Sequence, residues 1–182
     1  MQPPLIPNAR WLLSPEAWRK MNARIMEIKI QFAEKGQARD CLACVKQSAL
    51  WETYFKSNGA AENDIAEMIS KKQIYVALDK ANECIGFMGV IQNGCFRKFS
   101  YLSIIAVDRG FRSKGVGSKL IQKFEEIGFD QADRVFLLVS DFNQRAQLFY
   151  RKLGYQKVGA IPDLFKKGVS EYVFMKYGLK YE

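Results

Sequence analysis

The chain has 182 residues, 48% of them hydrophobic and 26% charged, a balance that suits a globular domain with its own core and excludes a disordered or fibrous chain. Its 28 basic and 19 acidic residues leave a formal charge of +9, so a partner selected by charge is an anion such as a phosphorylated cofactor, nucleic acid or an acidic membrane. Histidine is absent, which removes Ser-His and Cys-His nucleophile pairs and His-ligated metals and leaves carboxylates, Tyr, Lys, Cys or water to move protons.

The first 25 residues hold four of the five prolines (Pro3, Pro4, Pro7, Pro15) together with Trp11 and Trp18. Ser14-Pro15-Glu16 supplies an N-cap, a proline at the first helical position and an acid in the first turn, predicting a short helix to about Arg24. Residues 1–25 read as an appendage that packs through its tryptophans on the domain or on a second subunit of a homodimer, or as a passive leader; residues 26–182 read as the domain. A start rich in proline, and no apolar run near the ~20 residues of a membrane span, predict a cytoplasmic protein without a membrane partner.

From Met26 the pattern predicts a strand at 27–32, a helix at 37–55 and a short helix at 62–71 with Ile65, Met68 and Ile69 on one face. A hairpin of strands 74–78 and 84–91 follows, and then Tyr101 to Val107, apolar enough to be a central strand covered on both faces. Val116, Leu120, Ile121, Phe124 and Ile127 mark a helix that Gly128 ends. Strand 135–139, helix 143–153 ending at Gly154, and strands 155–160 and 171–177 complete the chain. An antiparallel opening followed by strand-helix-strand-helix-strand-strand is α/β with a mixed sheet.

The four cysteines, Cys41, Cys44, Cys84 and Cys95, read as reduced structural thiols, with no metal site. Cys41 and Cys44 fall inside a helix with Leu42 and Val45, where cysteine acts as a small hydrophobe. Zinc would want a second closely spaced pair, and a thioredoxin-like centre would want its pair at a strand-to-helix junction.

The segment Asp108-Arg109-Gly110-Phe111-Arg112-Ser113-Lys114-Gly115-Val116-Gly117-Ser118 carries the chemistry. Arg109, Arg112, Lys114 and Lys119 bring positive charge with no acid among them, and Gly115 and Gly117 let a phosphate approach the backbone where a helix begins. A pyrophosphate fits there. A Walker A loop would need Lys-Ser/Thr after its second glycine, where Val116-Gly117 stands, and a dinucleotide fingerprint would need a glycine at Leu120.

Arg112-Ser113-Lys114-Gly115-Val116-Gly117 resembles the Arg/Gln-x-x-Gly-x-Gly/Ala signature of the GNAT superfamily, the Gcn5-related N-acetyltransferases. Asn143 to Tyr155 resembles that family's Asn-x-x-Ala-x-x-x-Tyr-x-x-x-Gly-Phe/Tyr segment. The resemblance covers roughly Ile28 to Tyr177. It implies a mixed, mostly antiparallel central sheet flanked by helices and splayed at the cofactor-binding strand. It also implies acetyl-CoA as acyl donor. Main-chain groups of Ile105 and Val107 would bind the pantetheine arm, and amides of Arg112, Ser113, Lys114, Gly115, Val116, Gly117 and Ser118 would hold the pyrophosphate. Asn143 would hydrogen-bond the arm, and Tyr150 would stand as catalytic residue beside the thioester sulfur.

An attacking amine must be neutral and a leaving thiolate must gain a proton; without histidine, the base is a carboxylate or ordered water. Relatives that acetylate peptide N-termini carry a glutamate on the central strand, where this chain has Tyr101 and Ser103. Glu52, Glu83, Asp141 and Glu171 stand as alternatives to a water relay. By family analogy the acceptor pocket lies near Trp51, Tyr54, Phe55 and the 161–170 loop. The expected activity is acetyl transfer to a primary amine of a protein, peptide or small molecule. The rival is a basic nucleic-acid or ribosome-binding module without turnover, which lacks an aromatic-interleaved basic stripe.

Overall fold

The computed structural model describes residues 27–56 and 61–178; the proposed N-terminal appendage, with Trp11, Trp18 and the helix from Ser14, lies outside these residues. Seven strands form one sheet in the order β1-β2-β3-β4-β5-β7-β6. They are β1 (Lys29–Phe32), β2 (Ile74–Leu78), β3 (Cys84–Cys95), β4 (Phe99–Val107), β5 (Arg134–Ser140), β6 (Gln156–Pro162) and β7 (Ser170–Tyr177). Only β4 and β5 run parallel; every other neighbouring pair is antiparallel. Among the described residues the α-helices are α1 (Ala38–Lys46), α2 (Ala61–Ser70), α3 (Val116–Gln131) and α4 (Gln144–Lys152).

Alternation along β2 explains the layers. Tyr75 and Ala77 face one way with Ile85, Met88 and Leu102, and pack on Leu120, Ile121 and Phe124 of α3 and Tyr150 of α4. Ile74, Val76 and Leu78 face the other way with Phe87 and Ala106, against Cys41, Leu42 and Val45 of α1 and Ile65 and Ile69 of α2. With helices on both faces, all five residues of β2 are buried, hence the continuous apolar run in the sequence. Burying each large side chain of this kind stabilises the fold by about 1.5–3 kcal/mol.

Three boundaries differ from the sequence-based expectation. The helix expected over 37–55 stops at Lys46, and the chain turns again as a π-helical turn at Trp51–Phe55. At the break, Gln47 N and Ser48 N both turn to the Val45 carbonyl, and the exposed Gln47 carbonyl accepts from the Arg112 guanidinium at 2.5 Å. Second, α3 does not end at Gly128 but runs to Gln131. Gly128 serves close packing, because a Cβ there would meet Val135 Cγ1 at 2.2 Å. Third, β3 and β4 extend to Cys95 and Phe99, joined by a tight turn in which Phe96 and Arg97 both take positive φ, 52° and 57°. That turn usually carries Asn-Gly, so its sequence gave no hairpin signal. Gly154 closes α4 at φ 88° as expected.

The functional feature of the sheet is a break. β3 and β4 slip register between Gly89↔Ile104 and Val90↔Leu102, leaving Ser103 as a bulge whose hydroxyl donates to the Gly89 carbonyl at 3.1 Å. β4 and β5 are paired only at Tyr101↔Phe136 and Leu102↔Leu137. Beyond Leu102 they splay, opening the middle of the sheet.

Candidate active site

The splay leaves a cavity of about 400 Å³ lined by Ser103, Ile104 and Ile105 of β4, Leu138, Val139 and Ser140 of β5, and Asn143, Ala146 and Tyr150 at the start and inner face of α4. Leu50, Tyr54 and Phe55 close one side, with Phe165 from the β6–β7 loop and Glu171 of β7. Strand ends that diverge at a bulge form such a cleft because their inward side chains no longer have a facing strand to fill against.

Next to β4 lies the glycine-rich loop. Asp108 accepts a hydrogen bond from the Gly110 amide at 2.8 Å, and Asp108 N donates to the Ile85 carbonyl at 3.0 Å, which fixes the start of the loop to β3. Arg112 folds back on the backbone: its Nε donates to the Val107 carbonyl at 3.0 Å while the guanidinium also holds Gln47. The Arg112 side chain thus braces the loop whose amides are expected at the pyrophosphate, and the Val107 carbonyl, expected at the pantetheine arm, accepts from it. Gly115 takes φ 87° as it enters α3, a conformation costly for other residues. The helical ladder begins with Lys119 N donating to the Gly115 carbonyl, so the amides of Val116, Gly117 and Ser118 precede it. No acid stands in this first turn, and the helix dipole adds positive character there. Lys114 lies over the Phe111 ring at 5.1 Å, and Arg145 donates to Ser113 Oγ at 3.5 Å. A Cβ on Gly117 would meet Phe149 Cζ at 3.4 Å, whereas one on Gly115 would meet nothing within 4 Å.

Asn143 caps α4, its Oδ1 accepting from Ala146 N at 3.2 Å, and it lines the cavity as well. Tyr150 is 4% exposed, with its ring among Phe149, Tyr155 and Phe174. Its hydroxyl makes no hydrogen bond to another described residue. Burial first, and then the neighbouring Tyr101, push its phenol above the ordinary range, so it is a protonated group facing a cavity. Tyr101 is itself pushed to about 12, by burial and then by Glu171.

Glu171 is the constellation that sequence reasoning left unresolved among four carboxylates. It is 3% exposed and sits directly across from Ser140 in the β5–β7 ladder. The Tyr54 hydroxyl donates to Glu171 Oε1 at 2.5 Å, and Ser140 Oγ donates to its two oxygens at 3.0 and 3.3 Å. Tyr54 and Ser140 are 3.0 Å apart, closing a triangle. Burial and then the hydrogen bond to Glu171 raise the Tyr54 hydroxyl to about 12. None of the ion pairs among the described residues involves Glu171, so this carboxylate rests on two hydroxyls and faces the cavity. The other three carboxylates serve elsewhere: Glu52 pairs with Lys56 on the surface, Glu83 lies exposed in the β2–β3 turn, and Asp141 accepts from Ser170 N. Trp51 and Phe55 pack against the core beneath α1 and α2, and Tyr54 and Phe55 reach the cavity.

The arrangement can bind an anionic chain at the loop, thread it along the open edge of β4, and hold its end between a phenol donor and a carboxylate acceptor. Solved structures share the fold: an acetyltransferase of the GNAT family from Bacillus cereus ATCC 10987 superposes with a TM-score of 0.69 at 18% identity, covering 84% of this chain and 99% of that one. Ard1 from Thermoplasma volcanium gives 0.69 at 22% identity, covering 84% and 98%. In sequence, the chain is 30% identical over 94 residues to the N-alpha-acetyltransferase RimI of Mycobacterium tuberculosis (strain ATCC 25618 / H37Rv), covering 51% of this chain and 58% of that protein. It spans 30% to 58% of the length of curated relatives such as this one. No helix among the described residues is long and apolar enough to cross a membrane. The sequence model of the acetyltransferase (GNAT) family matches residues 45–155, from the end of α1 through the loop, the splayed strands and α4, and the chain belongs to that family.

Proposed function

We propose that the protein is an N-acetyltransferase that moves the acetyl group of acetyl-CoA to a primary amine entering beside Tyr54, Phe55 and Phe165. The observation that carries this reading is one cavity, opened by the splay of β4 and β5, with Tyr150 and Glu171 both on its wall. The amides of Val116, Gly117 and Ser118, with those of Arg112 to Gly115, would hold the pyrophosphate, and the open edge at Ile105 and Asn143 would hold the pantetheine arm.

In this reading Glu171 takes the proton that an ammonium acceptor must lose before its nitrogen can attack the thioester carbon. Tyr54 and Ser140 keep the carboxylate oriented and solvate it in place of water. As the carbon–nitrogen bond forms and the carbon–sulfur bond breaks, Tyr150 donates a hydrogen bond or its proton to the departing sulfur. Its free hydroxyl and raised pKa suit a donor that stays protonated at neutral pH. The name of the N-alpha-acetyltransferase RimI supports transfer to an amine, and a buried carboxylate without a cation partner supports a positively charged acceptor.

A panel of primary amines and peptides incubated with the protein and acetyl-CoA tests the assignment. Acetylated product with matching release of free thiol is expected for at least one amine. Binding of acetyl-CoA without thiol release in any of them, alongside salt-dependent nucleic-acid binding, would favour a non-catalytic module.

A further inference from the structure

Cys41, Cys44 and Cys84 meet where α1 packs on β3. Spacing of three puts Cys41 and Cys44 on one face of α1, where both are buried, at 0% and 2% exposure. On the facing sheet the register slips between Ala77 and Leu78, so that Leu78 pairs with Cys84 at the very start of β3. Cys84 packs against the same core cluster yet stays partly exposed. Its thiol donates to the Gly86 carbonyl oxygen at 3.5 Å and packs against the cluster that holds Cys41 and Cys44. Hydrogen bonds from Cys41 and then Cys44 draw the Cys84 thiol below the ordinary range, while that same contact and burial push the other two up. Of these three thiols, Cys84 is the one that solvent reaches.

This cluster sits under the loop assigned to the pyrophosphate. One residue beyond Cys84, the Ile85 carbonyl accepts from Asp108 N. Three residues beyond Cys44, Gln47 donates to Asp108 Oδ2 at 2.9 Å and accepts from Arg109 N at 2.9 Å, while its carbonyl takes Arg112. The two elements that carry the thiols are the two that grip the start of the loop.

We propose that Cys84, Cys41 and Cys44 form an oxidation site in which a hydroperoxide oxidises Cys84, a buried cysteine of α1 closes a disulfide with it, and the cross-link weakens cofactor binding by the loop. In the first step the Cys84 sulfur attacks the peroxide, the oxygen–oxygen bond breaks, and the alkoxide leaves as an alcohol after taking a proton. Cys84 becomes a sulfenic acid. In the second, the Cys41 or Cys44 sulfur attacks Cys84, the sulfur–oxygen bond breaks, water leaves and the sulfur–sulfur bond forms. Two thiols lose two electrons and two protons, and the peroxide is reduced to alcohol and water. A bond that pulls α1 and β3 together moves Gln47 relative to Ile85, and with them the anchor points of Asp108, Arg109 and Arg112. Bond formation goes beyond the transferase reading, whereas its effect on acetyl-CoA rests on it.

The test treats the reduced full-length protein with hydrogen peroxide, maps disulfides in unreduced peptides by mass spectrometry, and titrates acetyl-CoA calorimetrically before oxidation, after it, and after dithiothreitol. A peptide joining Cys84 to Cys41 or Cys44 is expected, with acetyl-CoA bound roughly 10-fold more weakly and restored by the reductant. Cys84→Ser should abolish the bond and Cys95→Ser should leave it. Should Cys84→Ser fail to fold, Cys41→Ser and Cys44→Ser should each form only the other pairing, or none. Three thiols left free, a Cys41–Cys44 bond, or oxidation beyond sulfenic acid without a bond overturns the site. A mapped disulfide with unchanged affinity overturns the coupling. Failure of the reduced protein to bind acetyl-CoA counts against the reading of the loop, while the mapped bond stands.

Discussion

Replacing Tyr150 with phenylalanine separates chemistry from packing unusually well in this fold. The ring is buried against Phe149, Tyr155 and Phe174, and phenylalanine keeps all of that contact. The hydroxyl has no partner among the described residues, so its loss strands no buried group and should change stability by less than about 1 kcal/mol. In the proposed reaction the same hydroxyl is the donor to the departing sulfur. Losing a general acid costs about 10²-fold in rate, which corresponds to about 2.7 kcal/mol of transition-state stabilisation. Thermal melts, acetyl-CoA titration and steady-state thiol release with one accepted amine measure the three quantities together. An unchanged melting temperature and acetyl-CoA affinity with kcat down about 100-fold is expected. Wild-type kcat in Tyr150→Phe would reduce this residue to packing and refute the assignment.

Glu171→Gln keeps the shape and the hydrogen bonds with Tyr54 and Ser140 but removes the charge, so kcat/KM for the amine should fall by about 10²–10³-fold with acetyl-CoA affinity unchanged; an equal loss of acetyl-CoA binding would make the carboxylate structural. Gly117→Val puts a side chain where a phosphate would approach the first turn of α3, at no more than ordinary contact with Phe149, and should abolish acetyl-CoA binding in a folded protein, as calorimetry and circular dichroism would read. The raised hydroxyls of Tyr54, at about 12, and of Tyr150 keep both protonated to higher pH than an ordinary phenol. The pH–rate profile should therefore rise as the amine loses its proton and show no falling limb below about pH 10. A fall there that disappears in Tyr150→Phe would contradict the direction of the shift.

Local features of this protein were legible in its sequence, and convergent ones were not. The loop from Asp108 to Ser118 announces itself because glycines, positive charge and a helix start lie within one short stretch. Strands β2 and β5, largely buried, and β4, part-buried beside the cleft, are apolar enough to read directly, and Gly154 marks the end of α4. The interruption after Lys46 carries no glycine or proline to announce it, and the Arg112 contact that meets the Gln47 carbonyl there comes from 65 residues away. The Tyr54–Ser140–Glu171 triangle joins residues separated by 86 and 117 positions, so no spacing rule could single out this glutamate from the other three acids. The thiol cluster escaped for the same reason: Cys41 and Cys44 pair by helical spacing, but Cys84 reaches them only through the register slip of β3. The place of Arg112 in the motif is plain in the sequence, whereas its side-chain bonds to Val107 and Gln47 join segments far apart in the chain.

In the proposed reaction the loop and the open edge of β4 together take acetyl-CoA. Calorimetric titration of acetyl-CoA into the reduced full-length protein measures this binding. One site per chain is expected, with a dissociation constant within about 1 μM–1 mM, weakening as salt screens the basic loop. No saturable heat at millimolar acetyl-CoA would contradict it.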